Sequence, residues 1–177
     1  MKKVLAIVTL ICVLFAFGAM AEETKKPFEI EPGITFGMTQ QEVITALGTQ
    51  KYKTDKEGTR GGFTYAEIEV EDTQVNGLQA DVHYYFITDK LVAVKVDYDD
   101  NVQNAPVLDA LKAAYGNPAV TLDVAALGKG IYAVDDDGTP EGTITSWVVD
   151  NVAIVMELEK GETDVTYVDT TAEYPAA

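Results

Sequence analysis

Through most of this chain apolar residues recur at every second position, and in two short stretches at every third and fourth. In Phe63–Glu71, Glu67, Glu69 and Glu71 alternate with Ile68 and Val70, so the spacing predicts a strand with one wet and one dry face. In Leu91–Tyr98, Val92, Val94, Val96 and Tyr98 point one way while Ala93, Lys95 and Asp97 point the other, the pattern of a half-buried antiparallel strand. Asp81–Ile87 precedes it, joined through Thr88-Asp89-Lys90 as a hairpin, and Val75-Asn76-Gly77-Leu78 reads as a turn. Ahead of these, Thr39-Gln40-Gln41-Glu42 has the form of a capping box. It opens a helix striped by Val43, Ala46 and Leu47 and stopped by Gly48. The stretch rich in Lys, Thr and Gly from there to Gly62 reads as a loop.

The second half repeats this order. Asn104 and Pro106 begin a helix with Leu108, Leu111 and Tyr115 along one face, and Gly116-Asn117-Pro118 ends it. Asp123–Leu127 fits helix or strand equally. Ile131–Val134 and Thr143–Val149 read as strands around the acidic turn Asp135–Gly142. Asp150-Asn151 is a two-residue hairpin turn leading into Val152–Glu159, and Val165–Val168 is a last short strand before the tail Thr170–Ala177. The helix-ending glycines, Gly48 and Gly116, are 68 positions apart. The expected fold is therefore α+β: an antiparallel sheet with short helices on one face, built from a duplicated helix-plus-three-strand unit at 34–98 and 103–168 that together form one compact domain.

Composition narrows the class. Lys2 and Lys3 precede an apolar run from Val4 to Ala21 that ends in Ala19-Met20-Ala21, the layout of a cleaved secretory signal over residues 1–21, followed by a polar leader, 22–33. An uncleaved anchor is the competing reading, since the run is long enough to span a bilayer. Cleavage would remove Cys12, the one cysteine, and with it any disulfide, cysteine nucleophile or thiolate metal site. The whole chain carries 13 basic against 29 acidic residues, a net charge of −16, and a single arginine, which argues against a nucleic-acid partner. Loss of Lys2 and Lys3 would take the charge to −18. These features predict an exported acidic protein, periplasmic or extracellular, with no membrane span after cleavage.

Ile34-Thr35-Phe36-Gly37-Met38-Thr39-Gln40-Gln41-Glu42-Val43 through Leu47-Gly48, then Tyr84-Tyr85-Phe86, Asp89-Lys90-Leu91 and Leu111–Pro118, follow one another in order. This series resembles small exported α+β proteins: the outer-membrane-assembly lipoproteins of the small-protein-A type and the β-lactamase-inhibitor-protein-like fold. The resemblance implies a protein that acts by binding other proteins, with no catalytic residues to carry over. The lipid-anchoring cysteine of the outer-membrane members has no counterpart at the mature terminus.

Candidate chemistry is sparse. His83 is the one histidine, and nothing marks a serine and carboxylate to join it in a triad, so it reads as a structural or surface residue. Zinc sites usually take three or four His or Cys ligands, which also argues against a zinc role for it. Asp135, Asp137 and Glu141 make the acidic turn a candidate for Ca²⁺, an ion that takes six to eight oxygens, although the turn misses the spacing of a calcium-binding helix-loop-helix in either register. Among 29 acids no pair stands out for a carboxylate-based hydrolase, a reading that needs a concave site. Tyr65, Tyr85 and Trp147 lie in predicted strands where one of each neighbouring pair must face away from the helices, and they are the candidate partner-binding residues. The expectation is a secreted, non-enzymatic binding protein that recognises a protein or envelope component through its sheet face, without a cofactor. The alternative is an acidic envelope protein that binds a divalent cation.

Overall fold

A computed structural model describes residues 33–172 except 61, 100, 101, 103, 124–141 and 160. The signal-like segment, the leader up to Pro32, the strand expected at Ile131–Val134 and the turn Asp135–Glu141 lie outside the described residues.

The capping box forms as the sequence predicts. Thr39 is the N-cap of helix α1 (Gln40–Leu47), its hydroxyl accepting from the Glu42 amide while the Glu42 carboxylate accepts from the Thr39 amide. Val43 and Leu47 are buried, but Ala46 is exposed and Ile44 packs against the core instead, so the third member of the stripe is Ile44 rather than Ala46. The helix is also anchored from outside: Asp89 Oδ1, in the hairpin turn that joins the third and fourth strands, accepts from the Gln40 amide at 3.1 Å.

Four strands follow α1: β1 (Lys53–Arg60), β2 (Phe63–Val75), β3 (Leu78–Ile87) and β4 (Lys90–Tyr98). Helix α2 (Asn104–Tyr115) is followed by β5 (Val120–Asp123), β6 (Gly142–Val149), β7 (Val152–Glu159) and β8 (Glu162–Asp169). All pairings are antiparallel, in the order β1-β2-β3-β4-β8-β7-β6-β5, so each half is a meander and the halves meet at β4–β8. The expected helix-plus-three-strand repeat is not what the described residues form, because each helix is followed by four strands. The segment read as a loop before Gly62 is β1, an edge strand whose polar sequence carries no alternation. Asp123 closes β5 rather than opening an element.

The hairpins sit where the turn residues place them. Asn76 and Gly77 both take positive φ (54° and 79°), as do Thr88 and Asp89 (49° and 56°), the backbone that lets two-residue turns follow the strand twist. A register shift between Val70 and Thr73 bulges β2, with Asp72 at φ 54°; its amide is held by Asp81 Oδ1 at 2.8 Å.

The main core lies on one face, although Ala93, Ala153, Val155 and Val168 on the other face are buried as well. Cross-strand pairing lines up Ile68, Tyr84, Val94, Tyr167, Ile154 and Trp147 across six strands, and these pack in one cluster with Val43 and Leu47 of α1 and Val107 and Leu111 of α2. Tyr115 meets Tyr167 edge-on, with ring centres 6.5 Å apart, and the Trp147 Nε1–H donates to the Gly116 carbonyl at 2.9 Å just past the end of α2. Among the described residues no helix is long and apolar enough to cross a membrane.

Candidate functional site

The opposite face of the sheet presents the residues that alternate with this core. One row of direct cross-strand partners crosses all eight strands: Lys53, Glu69, His83, Lys95, Thr166, Val155, Ser146 and Val120. Its character changes along the way, from charged on β1–β4 to Thr166, Val155 and Ser146 on β8, β7 and β6, which are all buried. A second row, on the same face, brings Asp81, Asp97, Asp164 and Glu157 directly opposite one another on β3, β4, β8 and β7. Like charges so placed repel, and the arrangement needs a counter-charge.

Lys95 supplies it. Its Nζ lies 2.9 Å from Asp97 Oδ2 and 2.9 Å from Asp164 Oδ2, bridging β4 and β8. Burial acts against the Lys95 charge, but the two carboxylates outweigh it and raise the pKa above the ordinary lysine value. Asp164 titrates high, pushed up to about 6, first by burial and then by the neighbouring Asp97 charge, against the pull of Lys95. Asp97 moves the other way: burial raises it, yet the hydrogen bonds from Lys95 and Asp164 prevail and lower it. The two carboxyls thus divide roles, with Asp164 the one that holds a proton first. Asp164 Oδ1 and Thr166 Oγ1 are buried on this face with no protein hydrogen-bond partner.

On the β2–β3 side the wet face expected for Glu67, Glu69 and Glu71 is only partly wet. Glu67 is 4% exposed and Glu69 9%. The reason is their partners: Glu67 sits opposite Tyr85, and Glu69 opposite His83. His83 Nδ1 is 2.9 Å from Glu67 Oε1 and 4.0 Å from Glu69 Oε2, and its ring stacks on Tyr85 at 6.2 Å with an interplanar angle of 11°. Lys53 closes the group from the edge strand, 3.2 Å from Glu69 Oε2 and 2.7 Å from Glu71 Oε1. The Tyr85 hydroxyl is held well above its usual range, by burial and then by the Glu67 charge.

Of the residues singled out from sequence, Tyr85 therefore lies on the face away from α1 and α2, within its polar network. Tyr65 shares that side, opposite Ile87 and opposite Gly58 of β1, and is half-buried. Trp147 is a correction: at 2% exposure it belongs to the core, and the residue beside it that faces out is Val148, 45% exposed. The strand alternation required one of the pair to face away from the helices, but not which one. Asp135, Asp137 and Glu141 fall outside the described residues. Sequence reasoning sets His83 aside as structural or surface, reads Glu67 and Glu69 as a wet strand face, and does not bring them together with Lys95, Asp97 and Asp164. The available signal was their shared parity in adjacent strands, which becomes a cluster only once the register is known. No protein-family model matches the chain, and no curated protein and no solved structure matches it either.

Proposed function

We propose that the protein is an exported, non-enzymatic binding protein and that the charged β1–β4 side of the sheet face away from α1 and α2 is its recognition surface, taking a basic segment of a protein or envelope partner. One observation carries the reading: the charged row from Lys53 to Lys95 and the acid row from Asp81 to Glu157 lie on the face opposite the helix-packed core. An acidic sheet held in a fixed register favours basic partners and repels acidic ones. The Tyr85 ring, fixed by His83, adds the rigid aromatic surface on which binding energy concentrates. The matching element order of the two halves, a helix followed by four strands, supports reading the sheet as two copies of one unit, and the resemblance to exported binding proteins points the same way.

The test compares binding of a defined lysine-rich peptide to the wild-type protein and to Tyr85→Ala and Glu157→Lys. Both substitutions should weaken binding tenfold or more at low salt, while Gln41→Lys on the exposed face of α1 leaves it within twofold. Equal binding by all four proteins overturns the reading.

A further inference from the structure

We propose that Glu67, Glu69 and His83 form a binding site for a divalent first-row transition-metal ion, with zinc as its test ligand. Each contributes one donor atom, and the three donors lie within 4.8 Å of one another. Ligand bonds of about 2.0–2.2 Å place tetrahedral donors roughly 3.4 Å apart. The present separations, 2.9 Å from His83 Nδ1 to Glu67 Oε1 and 4.0 Å to Glu69 Oε2, bracket that value, and binding an ion requires both carboxyls to rotate by a fraction of an ångström to about an ångström.

Two further features favour a metal over a plain ion pair. The same imidazole nitrogen, Nδ1, faces both carboxylates, so a cation at that point replaces one proton and gains two anionic ligands. The ligands are also held from behind: Tyr85 stacks on the imidazole, and the ladder fixes Glu69 opposite His83 and Glu67 opposite Tyr85. The imidazole selects against Ca²⁺ and Mg²⁺, which prefer all-oxygen shells, and none of the three ligands is a thiolate that would favour Cu⁺. With three protein ligands the fourth position falls to water on the side where His83 reaches solvent, its side chain 15% exposed.

The chain has a single histidine, which makes the test direct. The protein, carrying no histidine tag, is labelled with ¹⁵N and titrated with zinc chloride while the imidazole nitrogens are followed by NMR, alongside calorimetry. The expected result is one equivalent bound, a large shift of Nδ1 with Nε2 carrying the proton, and affinity reduced tenfold or more in His83→Gln and in Glu69→Gln. Asp164→Asn, on the same face but outside the ligand set, should bind zinc within twofold of wild type. An Nδ1 signal unmoved by a tenfold excess of zinc overturns the proposal. So does undiminished stoichiometric binding by His83→Gln, which would place the metal elsewhere. The wild-type spectrum decides the matter even if the variants fold poorly.

Discussion

The Trp147 indole donates to the Gly116 carbonyl at 2.9 Å, so the chain's one tryptophan fastens the end of α2 to β6. The bond satisfies a carbonyl just past the helix end, where helical partners run out. Trp147→Phe keeps the ring but strands that carbonyl, and should cost about 1–3 kcal/mol in urea unfolding. Trp147→Ala should cost about 3–5 kcal/mol through the cavity it leaves. A Trp147→Phe protein as stable as wild type would mean that the bond contributes nothing.

The Asp97–Lys95–Asp164 group makes stability depend on pH. Asp164 holds its proton up to about pH 6 in the folded chain, against an ordinary carboxyl value near 3.8. Between those values the folded state binds more protons than the unfolded one, so this contribution is fully present below about pH 4 and is lost as the pH rises through 6. Asp164→Asn mimics the protonated form. It should stabilise the protein at pH 7.5, on the order of 1–2 kcal/mol, and flatten the dependence between pH 4 and 7. Lys95→Met should do the reverse, destabilising most at neutral pH because two crowded carboxylates lose their counter-charge. Thermal melts across that pH range provide the measurement.

Thr39→Ala removes the N-cap of an eight-residue helix. The expected loss is about 1 kcal/mol, read from the denaturant midpoint. The Glu42 carboxyl is held below its ordinary range by the Thr39 amide. Its share of the stability is present at neutral pH and disappears as the pH falls through that lowered value, and most of it should persist in the Thr39→Ala profile, because the substitution leaves the backbone amide in place and removes only the weaker hydroxyl contact.

Gly58 lies opposite Tyr65 at the sheet edge, and the tyrosine ring occupies the space a side chain would need. A Cβ there would fall 2.6 Å from Tyr65 Cζ and 2.8 Å from Cε1. Gly58→Ala must swing the ring outward, at a cost of about 1–3 kcal/mol. The double variant Gly58→Ala/Tyr65→Ala should recover part of that loss, since the clash is gone. Strict additivity of the two single changes would show that the contact has no energetic weight.

Local chemistry made much of this fold legible. Thr39 and Glu42 announced the first helix, Asn76-Gly77 and Asp150-Asn151 announced hairpins, and the valines of β4 announced a half-buried strand. What stayed hidden depends on distant partners. Nothing within Lys53–Arg60 favours a strand; β2 supplies the hydrogen bonds that make it one. Burial of Glu67 and Glu69 follows from Tyr85 and His83 standing opposite them, and the acid row appears only when β8 is laid beside β4. Trp147 was assigned to the wrong side because Trp147-Val148 offers two apolar neighbours, and the α2 terminus decides which one turns inward.

The strand order has a kinetic consequence. Seven pairings hold the sheet; six join strands consecutive in the chain, while β4–β8 joins residues 65 to 75 positions apart, from Tyr98 with Thr163 to Ala93 with Val168. Contacts between near neighbours close small loops and form early, whereas the central seam must wait for both meanders and bears the largest closure entropy. The refolding rate is then set by one line of contact through the middle of the sheet. Until it closes, β4 and β8 are open edges, ready to pair with another chain at high concentration.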